Sequence, residues 1–231
     1  MEGKRVPEVT FKRVEGPLTT ADVFAGKTVV VFSLPGAFTP TCSASHVPRY
    51  DELADELRAR GVDEIVCISV NDAYVMDAWA KEQGTKNVLY LPDGNGEFTR
   101  GMGQLVDRSD VGFGPRSWRY SMLVRDGVVE KMFVEPHEPG DPYEVSDADT
   151  MLRWLDPAGK RTPDILLLTR PRCSHCAHAR SLLEARNLPY VEMTASPRML
   201  RAVAKTPTTP QIFVDGEHIG GADDLERHLG R

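Results

Sequence analysis

Four cysteines, Cys42, Cys67, Cys173 and Cys176, are the side chains of this 231-residue chain best suited to covalent chemistry. The N-terminal run MEGKRVPEVTFKRVEG has no apolar core of signal-peptide length, and no apolar run in the chain is long enough to span a bilayer. We therefore expect a cytoplasmic protein, and in that reducing compartment cysteines are more often reactive or buried than paired in structural disulfides. The net charge of −6 argues against nucleic acid or an anionic membrane as the main partner, because both require a basic surface.

Cys42 lies where a predicted buried strand, residues 28–34, passes through a Pro35-Gly36 turn into a helical hydrophobic pattern. The unpaired N–H groups and the positive dipole end of a helix N-terminus favour a thiolate over a thiol. A thiolate can attack the O–O bond of a peroxide and become a sulfenic acid. The hydroxyl of Thr39 can donate to the peroxide oxygens, and a guanidinium from elsewhere in the fold would be its natural partner.

Cys173 and Cys176 form a C-x-x-C motif directly between a predicted strand and a predicted helix, which is typical of a thioredoxin-like redox site. Cys173 would occupy the exposed helix N-terminus, and Cys176, one turn later, is near enough to close a disulfide. Zinc is the alternative, because His175 and His178 lie close by. The two cysteines and two histidines crowd onto one helical turn, and no second pair of Cys or His ligands lies in a separate segment. This disfavours a structural zinc site.

The elements that must position these cysteines alternate between strands and helices. TVVVFSL, EIVCISV and VLYL predict strands, and a helix is predicted over about Ala73 to Gln83. SMLVRDGVVEKMFV predicts two strands joined at Asp126-Gly127, a preferred hairpin dipeptide. This alternation indicates an α/β sandwich.

A second series of strands and helices begins after the polar, Pro/Gly-rich run DPAGKRTPD. It contains a βαβ unit followed by a ββα unit, enough for one small core. We therefore predict a domain at residues 1–157, a linker at 158–162 and a second domain at 163–231.

The loop PGAFTPTC resembles the active-site loop of peroxiredoxins, and the longer run PGAFTPTCSASHVPRY resembles the peroxiredoxin-5 branch. The resemblance extends over about residues 3–155 and includes CISVNDAYVMDAW and RYSMLVRDGVV. It implies that Cys42 is the peroxidatic cysteine and that Pro35 and Thr39 belong to its loop. It also implies that Arg119 contacts the peroxidatic sulfur.

Some relatives of this branch carry a second, resolving cysteine near the end of the domain. The matching stretch here, GDPYEVSDADTMLRWL, has no cysteine. Cys67 lies in the middle of a predicted buried strand, where a thiol stays protonated and inert. The sulfenic acid of Cys42 must therefore be resolved by Cys67 or by an outside thiol.

The second domain, about residues 163–230, resembles glutaredoxin. Thr208-Thr209-Pro210 stands in the place of that family's Thr-Val-Pro, whose proline is cis, and GGADD resembles its Gly-Gly-x-Asp segment. The resemblance implies that glutathione is bound by a set of backbone, basic and acidic groups: Arg170, Thr209, Pro210, Gly221, Ala222 and Asp223. The motif C-S-H-C departs from the family's common Pro-Tyr or Pro-Phe, so one-thiol and two-thiol chemistry both stay open.

The order of the two domains resembles the bacterial hybrid peroxiredoxin–glutaredoxin family. It implies two thioredoxin-like domains in tandem, each an α/β/α sandwich with a mixed central sheet. It also implies an antioxidant peroxidase that reduces hydrogen peroxide and alkyl hydroperoxides with glutathione as co-substrate, without a metal or tightly bound cofactor. We further expect a homo-oligomer, a dimer or tetramer, in which Cys173 can serve Cys42 of a neighbouring subunit.

Two other functions use the same cysteines. In a redox sensor, oxidised Cys42 would signal to a partner protein and turnover would be incidental. In an iron–sulfur carrier, the second domain would hold a cluster with glutathione as co-ligand. Neither has support in the sequence beyond the cysteines themselves.

Overall fold

The computed structural model of the chain describes residues 1–159 and 162–230. These form two compact units, one of residues 1–159 and one that contains the described residues from 162 onward. The predicted linker, residues 158–162, includes positions 160 and 161, which lie outside the described residues. No helix in the described part of the chain is long and apolar enough to cross a membrane.

The first unit is built on a five-stranded sheet with two small accessory hairpins. Its strands are β1 (Thr10–Arg13), β2 (Gly16–Thr19), β3 (Thr28–Leu34), β4 (Glu64–Ser69), β5 (Leu89–Pro92), β6 (Leu105–Asp107), β7 (Pro115–Ser117), β8 (Tyr120–Arg125) and β9 (Val128–Val134). Its α-helices are α1 (Thr20–Phe24), α2 (Val47–Glu52), α3 (Ala54–Ala59), α4 (Ala73–Gln83), α5 (Glu97–Gly101) and α6 (Ala148–Leu155).

The main sheet has the order β5-β4-β3-β8-β9, with β3 at its centre. β3 pairs parallel with β4 and antiparallel with β8, so the sheet is mixed. All seven residues of β3 are buried, as its apolar sequence predicts. Because side chains alternate along a strand, Phe32 and Leu34 pack in the core on one face of the sheet, and Val29 and Val31 pack on the other.

The helix predicted after Cys42 begins with an irregular turn. Residues Cys42–His46 form a π-helical turn, and Leu53 separates α2 from α3. Short π-helical segments of this kind are rare and occur frequently at functional sites. The predicted helix at Ala73–Gln83 is confirmed, and so is the Asp126-Gly127 hairpin, whose two residues have φ of 47° and 75°.

The second unit has a four-stranded mixed sheet of order β11-β10-β12-β13. Its elements are β10 (Ile165–Thr169), α7 (Ser174–Glu184), β11 (Val191–Thr194), α8 (Pro197–Ala204), β12 (Gln211–Val214), β13 (Glu217–Gly220) and α9 (Ala222–Leu229). β11 is parallel to β10, whereas β12 and β13 are antiparallel to their neighbours. The predicted class, two α/β domains with mixed sheets, is confirmed.

Candidate active site

The loop between β3 and Cys42 is held by hydrogen bonds to its own backbone and to the loop after β4. The side-chain oxygen of Asn71 accepts from the backbone N–H of Ala37 at 3.0 Å. Thr39 donates its hydroxyl to the carbonyl of Gly36 at 2.9 Å, and its own carbonyl accepts from the N–H of Ser43 at 3.0 Å. The loop therefore reaches Cys42 in a defined conformation rather than as a mobile connection.

Cys42 is fully buried and packs in the core on one face of the β3–β4 sheet. It opens the π-helical turn, and the indole N–H of Trp79 donates to the hydroxyl of the next residue, Ser43, at 3.0 Å. Pro35 is also buried, while Thr39 is half-buried. In this environment, shielded from bulk water, the interaction of a thiolate with a nearby cation is strengthened.

Arg119, the residue immediately before β8, is 1% exposed and lies close to Cys42. One terminal nitrogen of its guanidinium donates to Nδ1 of His46 at 3.0 Å, and the other pairs with Asp141. Its Nε is buried and has no hydrogen-bond partner among the described residues. Burial alone would lower the pKa of Arg119, but the charge of Cys42 and the contacts with Asp141 raise it, so the guanidinium stays charged.

His46 lies one turn after Cys42 and is completely buried between aromatic rings. Its Nε2 donates to the carbonyl of Ser146 at 3.2 Å, which leaves Nδ1 to accept from Arg119. Burial, followed by the charge of Arg119, holds the pKa of His46 well below its usual value of 6.5. The imidazole is therefore neutral and fixed in the tautomer that accepts from the guanidinium.

Cys67, the other cysteine of the first unit, lies in β4 and belongs to the same core as Cys42. Burial raises the pKa of its thiol well above the usual value, and the charge of Cys42 raises it further. Cys67 is therefore a protonated thiol, and a protonated thiol is a poor nucleophile.

Cys173 is the N-cap of α7, and in this structure its sulfur forms a disulfide with Cys176, with the two Cα atoms 5.2 Å apart. Cys176 is completely buried, whereas Cys173 is only half-buried. The Cys173 sulfur accepts from the N–H of Cys176 at 3.1 Å and from the hydroxyl of Thr209 at 3.5 Å. Backbone donors at a helix N-terminus stabilise a thiolate at this position once the disulfide is reduced.

Beside this disulfide lies an open cleft of about 390 Å³. It brings together five of the residues that the glutaredoxin resemblance implies for glutathione: Thr209, Pro210, Gly221, Ala222 and Asp223. The Thr209-Pro210 peptide bond is cis, as that resemblance implies. Gly221 is the N-cap of α9, so the N-terminus of that helix lines the cleft, and a helix N-terminus suits a carboxylate.

Arg170 is the one predicted glutathione contact that does not line this cleft. It follows β10, and its Nη2 is buried without a hydrogen-bond partner among the described residues. The cleft also contains His175, which the sequence analysis named only as a possible zinc ligand, and Gln211, which it did not select. Gln211 donates to the carbonyl of Thr208 at 3.2 Å, which supports the backbone just before the cis bond.

Sequence reasoning also missed His46, Asp141 and Ser146 around Arg119. His46 carried a signal, because a polar residue four positions after Cys42 lies on the same helical face as the cysteine. Asp141 and Ser146 carried none, since they come from an irregular loop about a hundred residues away from Cys42 in sequence. Within the described residues, no group of three or more His, Cys, Asp or Glu side chains is arranged to hold a metal ion.

Comparisons with known proteins agree on both units. The redoxin family model matches residues 1–152 and the glutaredoxin family model matches residues 165–219. The chain is 54% identical to hybrid peroxiredoxin hyPrx5 of Haemophilus influenzae, over 99% of this chain and 98% of that one. It is 57% identical to peroxiredoxin sll1621 of Synechocystis, over 67% of this chain and 91% of that protein. Among solved structures, reduced Prx3 of Vibrio vulnificus in complex with H2O2 is 43% identical with a TM-score of 0.63, covering 68% of this chain and 96% of that chain.

Proposed function

The chain belongs to the hybrid peroxiredoxin family, a redoxin domain followed by a glutaredoxin domain, and we propose that this peroxidase takes its electrons from glutathione. The observation that carries the proposal is the contrast among its thiols. Among the described residues of the first unit, the other thiol is that of Cys67, which is buried and held protonated. The second unit supplies Cys173 next to a cleft of suitable size for a tripeptide.

The first step occurs at Cys42. Its thiolate attacks one peroxide oxygen, the S–O bond forms as the O–O bond breaks, and the departing oxygen takes a proton to leave as an alcohol or water. The buried charge of Arg119 stabilises the negative charge that develops on the oxygens, and its Nε, which has no partner among the described residues, can donate to them. This step leaves Cys42 as a sulfenic acid.

Glutathione then resolves the sulfenic acid. Its thiol condenses with it, which gives a mixed disulfide between Cys42 and glutathione and releases water. The thiolate of Cys173 attacks the glutathione sulfur, so Cys42 leaves as a thiolate and the glutathionyl group moves to Cys173. A second glutathione regenerates Cys173 and releases glutathione disulfide. In sum, one peroxide and two glutathiones give an alcohol, water and one glutathione disulfide.

Cys176 is positioned for a second route in this proposal. Its sulfur is bonded to Cys173 in the structure, so it can displace glutathione from Cys173 and form that disulfide, which two glutathiones then reduce. Both routes consume the same reactants. The one-thiol route requires only Cys173.

Steady-state turnover with peroxide, glutathione, glutathione reductase and NADPH tests this function. We expect Cys42→Ser to abolish NADPH oxidation and Cys173→Ser to reduce it severely, while Cys67→Ser, the matched control in the same core, retains it. Cys176→Ser distinguishes the two routes. Full activity in Cys173→Ser would contradict the proposal, since the glutathionyl group would then be removed from Cys42 without Cys173.

In the proposed homo-oligomer, Cys173 of one subunit serves Cys42 of another. Mixing Cys42→Ser chains with Cys173→Ser chains tests this, because only transfer between subunits restores turnover. Mixed oligomers that stay inactive would contradict the exchange between subunits and leave transfer within one chain.

A further inference from the structure

Glu135 is a buried carboxylate whose hydrogen bonds connect it to the surroundings of Arg119. It directly follows β9 and is 1% exposed. Its Oε1 accepts from the N–H of Ser146 at 2.8 Å, from the hydroxyl of Ser146 at 2.7 Å and from the N–H of Val145 at 2.9 Å. The N–H of Glu144 donates to both carboxylate oxygens, at 3.0 and 2.9 Å.

These hydrogen bonds keep the carboxylate charged. Burial would raise the pKa of Glu135, but the bonds from Ser146, Val145 and Glu144 together lower it below its usual value. A charged carboxylate accepting this many donors fixes the backbone of residues 144–146 firmly. The chain just before it has no regular secondary structure, so this anchor decides where the Ser146 carbonyl points.

The Ser146 carbonyl leads back to the active site. It accepts from Nε2 of His46 at 3.2 Å and from the hydroxyl of Tyr50 at 2.9 Å. Nδ1 of His46 then accepts from the guanidinium of Arg119 at 3.0 Å. A chain of hydrogen bonds therefore runs from Glu135 through Ser146 and His46 to the side chain of Arg119.

Glu135 is also tied to the backbone of Arg119. Its N–H donates to the carbonyl of Arg119 at 3.1 Å, and its own carbonyl accepts from the indole of Trp118 at 2.8 Å. Glu135 therefore holds both ends of Arg119. It binds the backbone directly, and it is linked to the guanidinium through Ser146 and His46. A long arginine side chain has many rotamers, and such a closed ring of contacts selects one of them.

We propose that Glu135 is a positioning residue for peroxide reduction, holding the guanidinium of Arg119 against Cys42 through Ser146 and His46. The inference rests on the role of Arg119 in the proposed function. A glutamine at this position has nearly the same shape and can keep its oxygen in the place of Oε1, but its NH2 group would then face the N–H of Glu144, which now donates to Oε2 at 2.9 Å. The loop would shift to avoid that conflict, and His46 and Arg119 would shift with it.

The test is the second-order rate of Cys42 oxidation by hydrogen peroxide in the pre-reduced full chain, followed by stopped-flow tryptophan fluorescence. We expect Glu135→Gln to slow oxidation by about 10- to 100-fold, the scale of a misplacement of about 1 Å in a catalytic group. Asp93→Asn is the matched control. Asp93 is also buried, at 5% exposed, but among the described residues its carboxylate accepts only from Phe98 and Thr99. We expect it to leave the rate unchanged.

A second readout separates positioning from general stability. In an Arg119→Ala background, Glu135→Gln should slow oxidation no further, because its effect passes through the missing guanidinium. An equal slowing in both backgrounds would overturn the proposal. If Glu135→Gln does not fold, Ser146→Ala removes the 2.7 Å hydroxyl bond alone and should give a smaller slowing that is likewise lost without Arg119.

The outcomes also separate this inference from the proposed function. A slow Arg119→Ala variant together with a wild-type rate in Glu135→Gln would overturn the inference alone. A wild-type rate in Arg119→Ala would overturn the role of Arg119 in the proposed function, and the inference with it.

Discussion

The sites around Cys42 and Cys173 share one local design, a strand followed by a cysteine-bearing turn and a helix, yet they place the sulfur differently. Cys42 has no exposed surface, and a buried cation, a neutral histidine and a structured loop surround it. Cys173 is half-buried at a helix start, next to an open cleft. The first arrangement suits a peroxide, which is small, and the second suits a peptide thiol.

The difference follows from what each reaction must stabilise. Peroxide reduction develops charge on two oxygens, and preorganised donors shielded from water stabilise that charge well. Thiol–disulfide exchange needs a thiolate and an approach path for a larger partner. In the proposed cycle, joining both sites in one chain raises the effective concentration of Cys173 near Cys42.

The largest predicted difference between the two sites comes from removing the buried guanidinium of Arg119. We expect Arg119→Ala to slow oxidation of Cys42 by about 10²- to 10³-fold, the usual effect of deleting a preorganised transition-state donor. Reduction of a small glutathione mixed disulfide by Cys173, measured on the same protein, should be unchanged.

Arg125→Ala is the control for that experiment. Arg125 ends the strand that Arg119 precedes, but its side chain is 56% exposed. It should leave both rates unchanged. Equal slowing of the two reactions in Arg119→Ala would show that the arginine supports folding rather than peroxide chemistry.

A smaller effect concerns His46, the neutral group of the buried site. Its pKa is depressed in the folded state by burial and by Arg119, whereas in the unfolded chain it titrates near 6.5. Below that pH His46 binds a proton in the unfolded chain but not in the folded protein, so the free energy of unfolding decreases as pH falls. At pH 5 this linkage costs up to about 2 kcal/mol relative to pH 7.5.

Urea unfolding followed by tryptophan fluorescence measures this linkage, because all three tryptophans, Trp79, Trp118 and Trp154, lie in the first unit. His46→Gln should reduce the loss of stability between pH 7.5 and pH 5 by the amount given above. His178→Gln, at an exposed histidine of the second unit, should not change it. An unaltered pH dependence in His46→Gln would mean that His46 titrates alike in both states.

A third experiment measures access to the two sulfurs directly. In the reduced, folded protein a bulky maleimide should modify Cys173 at least about ten times faster than Cys42, since an opening cost of only about 1.4 kcal/mol already gives tenfold. Mass spectrometry of the labelled peptides measures the ratio, and the two sites should label alike in denaturant. Faster labelling of Cys42 would show that its burial is not maintained in solution.

Much of this contrast could be predicted from sequence, because its main parts are local. The apolar run of β3, the Pro35-Gly36 turn and the C-x-x-C before a helix each constrain their own neighbourhood. Arg119 could be found only through family resemblance, since nothing in its own surroundings marks it. The link from Glu135 to His46 could not be found, because it depends on antiparallel pairing of β8 with β9 and on a loop that returns from far along the chain.

The smallest predicted effect lies on the open side of the comparison, at Asp223. This residue is exposed at the start of α9 and lines the cleft, and the glutaredoxin resemblance implies that it contacts glutathione, from whose amine its carboxylate can accept a hydrogen bond. Because water competes for an exposed carboxylate, losing this contact costs about 1 kcal/mol, so Asp223→Ala should raise the KM for glutathione about three- to tenfold. Glu226→Ala, on the same helix but outside the cleft, is the control, and oxidation of Cys42 should be unchanged in both variants. If Asp223→Ala instead slowed the peroxide step, glutathione and peroxide would depend on one site and the contrast drawn between Cys42 and Cys173 would fail.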